Sequence, residues 1–125
     1  MKLLLDTHVY LWSRTDPSRL SAEERAAVRD PANEIVLSVA SAWEIEIKRA
    51  IGKLAAPDDW MERTESFGVQ WLPVRAEHVR ALRTLPPIHR DPFDRILVAQ
   101  SMVENVRLVT HDPVVLSYLS PRPRK

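Results

Sequence analysis

Four acids in this 125-residue chain, Asp6, Glu44, Asp94 and Asp112, stand where they could do chemistry. Asp6 follows three consecutive leucines, Leu3 to Leu5, and Asp112 follows Leu108-Val109-Thr110-His111. A short unbroken apolar run fits a strand buried on both faces, as in a parallel sheet. Each aspartate then stands at or just past a strand's carboxyl end, where open α/β sheets place their ligands. Glu44 falls near the start of a helical stretch after Ile35-Val36-Leu37, and Asp94 in the first turn of another. If these carboxylates met, they would repel one another unless a cation lay between them. Hard cations such as Mg²⁺ and Mn²⁺ take oxygen ligands of this kind. Such a centre activates water and steadies the transition state of phosphodiester hydrolysis, with one ion or with two about 3.5–4 Å apart.

Each acid also has a plainer use. An acid after a strand serves as the N-cap of the next helix. Glu44 could pair with Lys48 one turn on, and Asp94 could simply answer the helix dipole. Asp91, just before Pro92, reads as a cap rather than a ligand. The case for a metal rests on all four acids together, and spacing alone leaves open whether they meet.

The rest of the composition closes other routes. With no cysteine there are no disulfides, thiolate metal sites or cysteine nucleophiles. Only two glycines occur, and neither the Rossmann nor the P-loop glycine pattern is present. The histidines His8, His78, His89 and His111 have no zinc-ligand spacing, and no serine sits in a Gly-x-Ser-x-Gly elbow. A net charge of +1 neither demands nor forbids nucleic acid. Arg75, Arg80, Arg83, Arg90 and Arg95 form a local basic cluster able to hold phosphates. The four tryptophans are scattered and read as core or interface rather than base-stacking platforms. No apolar run reaches the length of a membrane span, and the first residues are too short for a signal peptide. A cytoplasmic protein without a membrane partner is the expectation.

The elements that must position the acids follow from pattern and punctuation. Helices are expected over residues 7–13, 22–30, 39–51, 57–66, 75–84, from Pro92, and over 114–119. The second begins with a Ser21/Glu24 capping box. In the third, Val39, Trp43, Ile47 and Ala50 recur at helical spacing as an apolar face. In the fifth, Val79 and Leu82 are expected inward. Strands are expected at 3–5, 35–37, 69–74 and 107–110, with Pro73 confining the third to an edge. The alternation predicts a single α/β domain over 1–120 with a mostly parallel sheet, and a frayed basic tail over 121–125.

Leu3-Leu4-Leu5-Asp6-Thr7-His8, Ser41-Ala42-Trp43-Glu44-Ile45, the run from His89 to Gln100 through Asp91-Pro92-Phe93-Asp94-Arg95, and Leu108-Val109-Thr110-His111-Asp112 resemble, in order, the motifs of the PIN domain. More narrowly they look like the VapC-type toxins of bacterial type II toxin–antitoxin systems. The resemblance implies a three-layer α/β/α sandwich with a short, mostly parallel central sheet. It implies a Mg²⁺- or Mn²⁺-dependent endoribonuclease whose metal-binding acids are Asp6, Glu44, Asp94 and Asp112. It further implies an RNA substrate, a homodimer, a cognate VapB-like antitoxin, and operator DNA bound only through that antitoxin. The family's chain commonly continues into one more strand than this one offers. Rival readings are a housekeeping RNA-processing nuclease of the same fold and a non-catalytic binding module. A phosphate-signalling receiver is a third, but it lacks the lysine it would need after a later strand.

Overall fold

A computed structural model describes residues 1–87 and 91–119 of the chain. Four strands, β1 (Lys2–Leu5), β2 (Glu34–Ser38), β3 (Gln70–Leu72) and β4 (Arg107–Val109), form one sheet in the order β3-β2-β1-β4. All three pairings are parallel. Seven α-helices are described: α1 (Thr7–Thr15), α2 (Ala22–Arg29), α3 (Val39–Ala50), α4 (Trp60–Ser66), α5 (Ala76–Ala81), α6 (Pro92–Glu104) and α7 (Pro113–Leu119). The frayed tail expected over 121–125 and the loop residues 88–90 lie outside the described residues.

The leucine run works because a strand sends alternate side chains to opposite faces. Leu3 and Leu5 join a core with Val9, Tyr10, Leu37, Ile45 and Trp60, while Leu4 joins another with Val36, Leu97, Val98, Leu108 and Val115. All three leucines are fully buried. Each contributes roughly 1.5–3 kcal/mol by leaving water. Packing on both faces is what makes three layers, with α1 and α4 on one side of the sheet and α6 and α7 on the other.

Parallel pairing puts the ends of β1, β2 and β4 on the same edge. Leu4 aligns with Val36 on one side and with Leu108 on the other. α1 starts on that edge, capped by Asp6, and so does α3, capped by Ser38. α6 feeds β4 through a turn closed by Asn105 in the left-handed region, at φ 53°. A helix that runs back before its strand has its first turn at that same carboxyl edge. Trp43 of α3 meets Phe93 of α6 edge-on, with ring centroids 5.4 Å apart, which fixes the two helix starts side by side.

Three expectations need correction. The Val39, Trp43, Ile47 row of α3 faces solvent, with Trp43 64% exposed, and Ala40, Ser41, Glu44 and Ile45 face in. Val79 also points out, and the buried residue of α5 is His78. The backbone N–H of Arg75 donates to His78 Nδ1 at 2.9 Å, so the proton lies on Nε2, 2.7 Å from Glu104 Oε2. That clasp binds α5 to α6 and outweighs the apolar pattern. Finally, residues 57–59 form a turn, and α4 starts only at Trp60.

Candidate metal centre

Asp6 ends β1 and caps α1, so its backbone belongs to the sheet and its side chain to the helix start. Its backbone N–H donates to Val109 O at 2.9 Å, which extends the β1–β4 ladder by one bond. Oδ1 accepts from the His8 N–H at 2.8 Å, and Oδ2 accepts from Thr110 Oγ1 at 2.8 Å. The side chain is buried. Burial pushes its carboxyl above the ordinary aspartate range; the bonds from Thr110 and His8 pull it back in part, and the charge of Glu44 pushes it further up.

Glu44 is the charged residue on the inward face of α3, 5% exposed. It does pair with Lys48 one turn on, as the plainer reading has it, but the carboxylate is buried rather than surface-exposed. Lys48 Nζ donates to Oε2 at 2.9 Å. Oε1 is buried and has no hydrogen-bond partner among the described residues. A buried carboxylate oxygen left without a donor costs at least about 1–3 kcal/mol, so such atoms are rare without a purpose. A divalent cation is the group that an orphaned anionic oxygen of this kind suits, and the donor set, all carboxylate, fits Mg²⁺ or Mn²⁺.

Asp112 follows β4. Its Oδ1 accepts from the Val114 N–H at 2.8 Å and starts α7, and its own N–H donates to Thr110 Oγ1 at 3.2 Å. The Thr110 hydroxyl therefore joins Asp6 to the Asp112 backbone. Asp94 sits half-buried in the first turn of α6. Asp91 caps that helix, its Oδ1 accepting from the N–H groups of Phe93 at 2.8 Å and Asp94 at 3.2 Å. A cavity of about 330 Å³ opens on this edge, lined by Asp6, His8, Trp12, His111, Asp112 and Pro113.

The structure thus brings Asp6 beside Glu44 and links it to Asp112, with Asp94 on the same edge. Sequence reasoning missed the groups that hold them. Thr110 is one, legible only as a hydroxyl next to a strand-end acid. The Thr7 hydroxyl, which donates to Ser41 Oγ at 2.8 Å and ties the starts of α1 and α3, is another. His111 is drawn aside: its Nδ1 lies 3.1 Å from Glu24 Oε1. Burial acts to raise the Glu24 carboxyl, but the hydrogen bonds from Ser21 and His111 leave it lowered. Arg75, from the basic cluster, is held 3.6 Å from Glu104.

Among the described residues, the group whose ligand atoms all lie within 4.8 Å of one another is a different one, Glu77, His78 and Glu104. Both nitrogens of His78 are already committed within the protein there. Glu104 is also ten residues down α6 from Asp94, about 15 Å along the axis. We read this group as the clasp between α5 and α6. The four strand-edge acids do not form a group that tight among the described residues.

Comparison with known proteins gives concordant results. A protein-family model for the PIN domain matches residues 3–117. The chain is 32% identical over 136 aligned positions to Ribonuclease VapC22 of Mycobacterium tuberculosis (strain ATCC 25618 / H37Rv), covering 97% of this chain and 95% of that protein. A 36-residue stretch is 56% identical to Ribonuclease VapC16 of the same strain, covering 29% of this chain and 26% of that protein. Among solved structures, that of VapBC2 from Rickettsia felis bound to a DNA fragment from their promoter matches with a TM-score of 0.68 at 14% identity. The match covers 94% of this chain and 93% of that one, a likeness of fold.

Proposed function

The chain belongs to the PIN domain family, and from that premise we propose that it is a VapC-type endoribonuclease, the toxin of a type II toxin–antitoxin module. The reaction is hydrolysis of RNA phosphodiesters. Asp6 and Asp94 would hold a Mg²⁺ or Mn²⁺ ion, and Glu44 and Asp112 would complete its surroundings and orient the attacking water. The observation that carries this reading is the buried Glu44, one oxygen neutralised by Lys48 and the other without a partner among the described residues, beside a buried Asp6 whose protonation its charge affects.

When bound, the cation polarises the phosphodiester and makes water nucleophilic near neutral pH. The chain's own contribution is positioning. β1 and the His8 N–H fix Asp6 from two sides, and the Thr110 hydroxyl holds its second oxygen. Lys48 fixes one oxygen of Glu44 and leaves the other available. The capped start of α6 adds its dipole to the acid-rich edge, where it favours anionic groups, Asp94 and a substrate phosphate alike.

The same reading gives the protein a cognate VapB-like antitoxin, a homodimeric state, contact with operator DNA only through the antitoxin, and a place in the cytoplasm with its RNA. Support for a protein partner comes from the outward apolar row of α3, continuous with a cavity of about 490 Å³ lined by Val39, Trp43, Val74, Val79 and Phe93. No helix among the described residues is long and apolar enough to cross a membrane.

The test is to sequence RNA ends after brief induction, beside an Asp6→Ala control. New discrete ends with the wild type, absent from an equally soluble and folded Asp6→Ala protein, are expected. Cleavage retained by the pure variant would overturn the assignment.

A further inference from the structure

The four tryptophans have unequal employment. Trp60 donates its indole N–H to Glu46 at 2.8 Å and Trp71 to Glu65 at 2.7 Å, and the two rings meet edge-on. Trp43 rests against Phe93. Trp12, half-buried, is the tryptophan that lines the acid cavity, and its indole N–H, like that of Trp43, has no hydrogen-bond acceptor among the described residues.

What surrounds Trp12 is the equipment of a nucleotide subsite. The Arg19 guanidinium lies over its ring, 4.4 Å from the centroid, and forms no ion pair among the described residues. His8, one helical turn back, presents its ring 5.7 Å away at a 31° tilt, and His111 meets Trp12 edge-on at the same separation. His8, Arg19 and His111 are all exposed. The cavity that His8 and His111 rim also has Asp6, Asp112, Trp12 and Pro113 in its lining, and Arg19 lies beside it, over the Trp12 ring. Its volume of about 330 Å³ lies at the small end of ligand sites, of order 300–1,000 Å³, which suits one base rather than a folded RNA element.

We propose that Trp12 is the stacking platform for a nucleobase next to the phosphodiester that is cut, and that Arg19 holds that nucleotide's phosphate. The inference rests on the nuclease reading and deepens it. Stacking tolerates any base, because every base has a π-face, and a cation beside the ring adds to the attraction. The free indole N–H gives the platform one polar contact with the nucleotide. The geometry also sets the spacing: Trp12 lies six residues from Asp6 on a helix that Asp6 itself caps, so a seated base fixes its phosphate relative to the acids.

The experiment uses a short unstructured RNA that the intact protein cuts, and copies carrying one abasic nucleotide on either side of the cut. Wild type is compared with Trp12→Leu and Trp12→Phe. We expect an abasic nucleotide at one of the two positions to raise KM about 5- to 150-fold for the wild type. Trp12→Leu shows a comparable rise with intact RNA and little further loss with the abasic copy, and Trp12→Phe keeps most of the affinity. Arg19→Gln raises KM and flattens its salt dependence. The wild-type arm needs no variant to fold. Equal KM for intact and both abasic RNAs, or an abasic loss as large in Trp12→Leu as in the wild type, overturns the proposal while leaving the nuclease intact. Failure to cut any RNA, with Mn²⁺ present, removes both.

Discussion

Thr110 Oγ1 donates to Asp6 Oδ2 at 2.8 Å across 104 residues of chain, joining the ends of two neighbouring parallel strands. The same oxygen accepts from the Asp112 N–H, so a single hydroxyl sets the relative positions of the first and last acids. Thr110→Val removes the bond and keeps the shape. It leaves a buried carboxylate oxygen short of a donor, and we expect a loss of about 1–3 kcal/mol in stability. It also moves Asp6 further above the usual range, so the acid limb of the cleavage profile shifts to higher pH. Chemical denaturation and a pH–rate series check both, and Thr110→Ser serves as the rescue.

Without metal, Asp6 makes stability pH-dependent with a definite sign. Its carboxyl is raised in the folded state, so the folded protein holds that proton to higher pH than the unfolded chain does. The advantage is full below the unfolded value and disappears as pH climbs through the folded one. Melting in chelator from about pH 4 to about pH 8 then shows the wild type losing stability relative to Asp6→Asn. Asn can still accept from the His8 N–H, so the cap survives. Parallel curves for the two proteins would remove the argument.

Lys48 is the permanent neighbour of Glu44, and its side chain is about one-third exposed, at 35%. Lys48→Met keeps the stem and deletes the charge. We expect roughly 10- to 100-fold weaker Mn²⁺ binding by calorimetry, the usual effect of losing a group that orients a ligand carboxylate. In a Glu44→Gln background the same substitution should change Mn²⁺ affinity little. An equal effect in both backgrounds would assign Lys48 to packing alone.

Asp91 and Asp94 sit three residues apart and do different work. Asp91→Ala deletes the cap on α6 and should lower stability by about 1 kcal/mol. Asp94→Asn should cost roughly 10²- to 10³-fold in kcat, with little effect on melting temperature in chelator. Reversal of the two phenotypes would exchange their roles.

The outward face of α3 predicts assembly. Trp43, 64% exposed, lies at the mouth of the apolar cavity beside Phe93. Trp43→Ser should move the protein from dimer to monomer in sedimentation at micromolar concentration while leaving the circular dichroism spectrum unchanged. An unchanged sedimentation coefficient would take this face out of the interface.

The elements themselves were plain in the sequence wherever local physics decides them. Three leucines before an aspartate had to make a buried strand, Ser21 with Glu24 had to start a helix, and Asp91-Pro92 had to start another; α2 and α6 begin as expected. The family motifs were equally plain, being runs of adjacent residues. The sense of α3 and α5 was not. Periodicity finds an apolar stripe, but which stripe turns inward depends on what waits there: α3 buries Glu44, which pairs with Lys48, and α5 buries His78, which clasps Glu104. The Glu44–Lys48 pair, one helical turn apart, was also legible. Tertiary structure alone decided the contacts made across the chain. Thr110 and the Thr7–Ser41 pair act through hydroxyls whose range is a few ångströms, and sequence separation carries no information about such distances.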